Sequence, residues 1–206
     1  MHIYAFGSLC RGEVSKDSDV DILALVDGRD ERFGSHEYSV YSYGRIIEMW
    51  AEGNPFAWHL FLESKLIFSA DGDDFLRDIG KPHDYVNFKN DYLKFKTLLD
   101  ESLKSLKSGT KSYIFEMSNI FLAVRNISIC YSLACSEKPI FSRAAAQMLS
   151  NKSIKLPLHV YNILERSRIL STRGMGEHIK YDEALEVIKY ADEIINWTLL
   201  LEVNVK

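Results

Sequence analysis

Gly7 and Ser8 are followed after ten residues by Asp19, and Asp19 and Asp21 flank a valine at the head of the apolar run Val20 to Val26. If that run is a strand, alternate side chains share a face, so Asp19 and Asp21 project the same way while Val20 and Ile22 turn into the core. Two carboxylates one step apart attract a divalent cation. Mg²⁺ prefers oxygen ligands, keeps several waters and is usually held by one or two carboxylates together with substrate phosphates. Gly7, at the end of a first strand, lets the backbone approach a phosphate, and the Ser8 hydroxyl and nearby amides can donate to its oxygens. Turn and cation would then address one nucleotide.

Gly7-Ser8, ten residues, then Asp19-Val20-Asp21 resembles the signature of the DNA polymerase β-type nucleotidyltransferase superfamily, particularly its minimal bacterial members. Arg11-Gly12 and Asp17-Ser18 are similar to what such proteins carry at those places. The resemblance implies transfer of a nucleoside monophosphate from an NTP, with ATP the expected donor and pyrophosphate leaving. It further implies two Mg²⁺ ions ~4 Å apart bridged by Asp19 and Asp21. Gly7 and Ser8 would hold the terminal phosphates, and Arg11 would neutralise the departing pyrophosphate. Members usually add a third carboxylate from a later strand. Arg45 to Trp50 reads as a mostly apolar strand interrupted by one acid, and a charge there is costly unless paired or metal-bound. Glu48 is therefore the expected third ligand, with Glu37 and Glu52 as its rivals.

The elements that must position these residues divide the chain in two. Residues 1–80 are expected to form a small mixed sheet with strands at His2 to Phe6, Val20 to Val26, about His36 to Tyr43 and Arg45 to Trp50, and a short one at Leu66 to Phe68. Asn54-Pro55 starts a helix, with Asn as cap and Pro at the first helical position. His59 within it is expected to be structural. Residues 81–206 are expected to form an all-α bundle, making the chain α+β. Its helices are read at Asp84 to Lys107, Thr110 to Ala134, Ser142 to Leu149, Leu158 to Thr172 and Tyr181 to Val203. This part resembles the HEPN and kanamycin-nucleotidyltransferase helical domains. The HEPN ribonuclease histidine has no counterpart after Arg125, so ribonuclease activity is not implied, and Arg125 is expected in an ion pair within the bundle, the alternative being contact with the nucleotide or acceptor.

Composition bounds the rest. A chain of 206 residues, 47% hydrophobic, can bury a real core. It shows neither an ~18-residue apolar span nor a basic leader before an apolar stretch, so a cytoplasmic address without membrane contact is expected. Cys10, Cys130 and Cys135 read as buried reduced thiols. Residues 1–80 hold fifteen acids against seven Lys and Arg, while the remainder has fourteen against eighteen. The acids gather where metal would sit, and Lys89, Lys94, Lys96, Lys104, Lys107 and Lys111 read as a solvated face. A pI near 5.9 argues against an extended nucleic-acid surface. Gly7 stands six residues from the start of the sequence, leaving no room there for the helix that often precedes this strand in the superfamily. A homodimer covering the sheet edge is the expectation.

The sequence thus points to an enzyme that nucleotidylates a hydroxyl of a small molecule or a protein. The alternatives are an antitoxin-like partner-binding protein of a toxin-antitoxin pair and a non-catalytic NTP sensor.

Overall fold

The structure, a computed structural model, describes residues 1–13, 20–28, 30–34 and 36–203. Two compact units result, Met1–Val86 and Asn87–Lys206.

In the first unit β1 (His2–Phe6), β2 (Asp21–Leu25), β3 (Ser39–Tyr41) and β4 (Lys65–Ser69) form one sheet in the order β3-β2-β1-β4. β1 runs antiparallel to both β2 and β4, and β2 is parallel to β3, so the sheet is mixed as expected. The ladder between β1 and β4 slips between Ile3 and Tyr4. Tyr4 and Phe6 of β1 and Leu23 and Leu25 of β2 face one way. They form the core with Ile46, Met49, Trp50, Ala57, Leu60 and Leu76.

That core corrects the expected orientation of β2. Leu23 and Leu25 are fully buried, and alternation puts Asp21 on their face, whereas Val20 is 54% exposed and Ile22 only partly covered. Asp21 therefore ends the core-facing stripe instead of pointing away from it.

A second correction concerns Arg45 to Trp50. The segment is helical, within α2 (Tyr43–Ala51), following α1 (Ser8–Arg11). Ser42 caps α2 by accepting from the Arg45 amide at 3.2 Å. Ile46, Met49 and Trp50 are three and four residues apart, so one face of a helix buries all of them, at about 1.5–3 kcal/mol per side chain. A strand would have buried Ile46, Glu48 and Trp50 together, which includes an acid. Helix α3 (Pro55–Glu63) starts as expected, with Asn54 Oδ1 accepting from the Phe56 amide at 2.9 Å. The short α4 (Phe75–Asp78), capped by Asp74, adds Leu76 to the core.

The second unit comprises α5 (Phe88–Lys107), α6 (Tyr113–Cys135), α7 (Leu158–Arg173), α8 (Tyr181–Lys189) and α9 (Ala191–Glu202). α6 packs against both α5 and α7 and buries residues around much of its circumference. Three expectations change. Ser142 to Leu149 is no α-helix but a loop with a 3₁₀ turn at Ala145–Gln147, followed by another at Ser150–Lys152. The stretch Tyr181 to Val203 breaks at Tyr190, whose amide bonds three residues back to Val187. Cys135 is exposed at the end of α6, while Cys130 is buried, and all three cysteines are free thiols. Half-buried Arg125 gives Nη2 to the Phe141 carbonyl at 3.2 Å. Among the described residues, no helix is long and apolar enough to cross a membrane.

Candidate active site

β1 delivers the chain to Gly7 beside the first residue of β2. Phe6 lies opposite Asp21 in the antiparallel register. Gly7 has φ 75° and ψ −143°, a conformation that residues with a Cβ rarely adopt. A methyl group at Gly7 would meet Asp21 Oδ2 at 2.5 Å. Glycine is needed here twice over, for its dihedrals and for the space the carboxylate takes. The structure so brings together two of the expected residues, Gly7 and Asp21. Asp19 lies outside the described residues.

After Gly7 the chain makes one helical turn. The Gly7 carbonyl accepts from the Cys10 and Arg11 amides at 3.1 and 3.3 Å, and Ser8 opens α1, half-buried. Gly12, left-handed at φ 75°, closes the turn. Cys10 gives its thiol to the Ala5 carbonyl at 3.4 Å, and burial pushes its pKa up, which keeps it an unreactive thiol. Arg11 extends from α1 to two acids. Its Nε donates to Glu13 at 3.0 Å, and its Nη1 pairs with Glu63 at the end of α3. Glu63 also has His59 Nε2 at 2.9 Å, one helical turn earlier, though off line for a hydrogen bond. The three side chains are only 16%, 13% and 14% exposed, for Arg11, Glu63 and His59.

The structure does not bring Glu48 to the sheet. Its carboxylate is 64% exposed on α2, paired with Arg45 at 2.9 Å. Glu52 shares that arginine at 3.4 Å. The reason is the helical period of α2, which turns both acids away from Ile46, Met49 and Trp50. β3, parallel to β2, carries no acid. Glu37 stands two residues before Ser39, and Ser39 lies opposite Leu23, which stands two residues after Asp21. Glu37 is exposed in a turn whose amide bonds to the Gly34 carbonyl.

The pairing of Glu63 with Arg11, and of His59 with Glu63, is not among the sequence-based expectations. A signal existed: histidine and glutamate four apart on a well-started helix share a face.

A hard divalent cation that shares its shell with phosphates needs one or two protein carboxylates. Asp21 supplies one directly against the turn. Among the described residues, no group of three or more His, Cys, Asp or Glu side chains is placed to hold a metal. A carboxylate so placed fits an ion that arrives with a nucleotide.

The family described as nucleotidyltransferase domain matches residues 2–106, which covers the sheet, the Gly7 turn, Asp19 and Asp21, and all but the last residue of α5. No curated protein and no solved structure matches the chain.

Proposed function

The chain belongs to the nucleotidyltransferase family and is an enzyme that transfers a nucleoside monophosphate from an NTP; on that premise we propose that it moves AMP from ATP, with Mg²⁺, to a hydroxyl of a small molecule or a protein. The observation that carries this reading is the Asp21 carboxylate against Gly7, an acid where a phosphate-binding turn meets the sheet. The acceptor hydroxyl gives its proton to a carboxylate of the site or to water as its oxygen attacks the α-phosphorus, the bond to the bridging α,β-oxygen breaks, and pyrophosphate leaves with that electron pair. Gly7 leaves room for the phosphates, while Ser8 and the adjoining amides donate to them. Asp19 and Asp21 would hold Mg²⁺, which neutralises charge on the triphosphate and lowers the pKa of the acceptor hydroxyl. Glu37 takes the third-carboxylate role in place of Glu48, since it adjoins the strand parallel to β2 and is not spent on Arg45. The surplus of acid in residues 1–80 supports a cationic acceptor.

The test is to incubate the chain with α-labelled ATP, Mg²⁺ and cell extract and to look for labelled small molecule or protein. Label should appear with the native chain, pyrophosphate should be released with it, and both should vanish with Asp21→Asn. Transfer that survives Asp21→Asn undiminished would overturn the mechanism.

A further inference from the structure

We infer that Glu63, steadied by His59, is a positioning residue that aims the Arg11 guanidinium at the terminal phosphates of the donor. The inference rests on the reading that the Gly7-Ser8 turn receives those phosphates, and it adds a second layer behind that turn. Phe6, the residue before Gly7, lies opposite Asp21 and presents its ring edge-on to His59, with centroids 5.6 Å apart. The His59 to Glu63 turn of α3 therefore packs over the end of β1 at which Asp21 meets Gly7. Arg11 sits one helical turn after Gly7, its amide bonded to the Gly7 carbonyl, and reaches back to Glu63.

Stability alone gives little reason for such a cluster, because a mostly buried ion pair is often no better than well-packed apolar side chains. Orientation does. Arg11 has a long, rotamer-rich side chain beside a turn of only four helical residues, and Glu63 holds one edge of its fork. A guanidinium carries five N–H donors in a fixed plane, so bonds at Nε and Nη1 fix that plane while leaving it more to donate. The same Glu63 oxygen that pairs with Nη1 lies against His59, whose ring packs edge-on against those of Phe6 and Phe56. Moving Glu63 would thus require moving an aromatic cluster.

The reading separates triphosphate from monophosphate. Binding of ATP and of AMP, each with Mg²⁺, is measured by calorimetry for the native chain, Glu63→Gln, Arg11→Met and the double variant. Glu63→Gln should weaken ATP about tenfold, the scale of one bond to a charged group. AMP, which lacks the terminal phosphates, should change by less than about twofold. The double variant should bind ATP no more weakly than Arg11→Met, because both changes remove one device. Equal losses for ATP and AMP, additive losses in the double variant, or no loss at all would overturn the inference while leaving the phosphate site standing. A native chain that binds neither nucleotide would remove the phosphate-site reading and this one with it. Should Glu63→Gln fail to fold, Glu63→Asp, which keeps the charge but withdraws it by one methylene, is read by the same ATP-to-AMP ratio.

Discussion

Ser128, Ser132, Ser167 and Thr198 in the helical unit each give a hydroxyl proton to a carbonyl three or four residues back, at 2.7, 2.9, 2.6 and 2.8 Å. In the sheet unit, Arg11 meets an acid fifty-two residues later, and Asp21 lies against a glycine fourteen residues before it. Both units bury polar atoms, but to different ends. A hydroxyl turned onto its own helix has its hydrogen spent locally and offers little to a ligand. Charges gathered from separate elements around a turn are held in place by the fold and have capacity left for one. The charges of the candidate site thus come from separate elements of the first unit, while these four hydroxyls of the second are spent on their own helices.

Asp21→Asn should test that contrast most severely. Transfer is expected to fall on the order of 10²–10³-fold or more, with the melting transition nearly unmoved, as when one preorganised charge is lost from a phosphoryl-transfer centre. Gly7→Ala comes next. The added methyl both strains the backbone and strikes the Asp21 carboxylate, so stability should drop by about 1–3 kcal/mol and activity by more than the unfolded fraction accounts for. Denaturant unfolding alongside turnover measures the two. Glu37→Gln and Glu48→Gln form a matched pair: the first should lower turnover by about tenfold or more, the second by less than about twofold. The reverse ranking would return the third-carboxylate role to Glu48. The smallest effect is expected in the helical unit. Ser128→Ala removes a bond that α6 makes with itself, and a loss of about 1 kcal/mol or less, with kcat and KM unchanged, is expected. A marked fall in turnover there would erase the distinction between the units.

What was legible in the sequence followed the strength of its periods. β1 is legible from its short apolar run, the start of α3 from the Asn54-Pro55 cap, and α5 and α7 from three-to-four spacing sustained over several turns. Arg45 to Trp50 was not, since six residues with one acid fit either period, and Ser42 as a cap was the overlooked clue. The core face of β2 is not legible, because apolar residues line both faces of that strand and alternation alone gives it no direction. Tyr190 breaks the last helical stretch without glycine or proline to mark it. Type and spacing single out Gly7 and Asp21, which the fold brings against each other, whereas the Glu63 pairing is hidden because its partner Arg11 is remote in sequence.

The Tyr4 hydroxyl gives its proton to Asp74 and accepts from the Leu76 amide, both at 3.0 Å, and the His2 ring meets the Asp73 carbonyl at 3.1 Å. β1 also takes β4 as its edge partner. β1 is therefore locked by residues made about seventy positions later. Closing so long a loop is slow compared with the neighbour-to-neighbour docking of α5, α6 and α7. The Gly7 turn acquires its working shape only after the chain has been synthesised past Leu76, and a nascent chain stopped short of that point would carry every residue of the turn without its geometry.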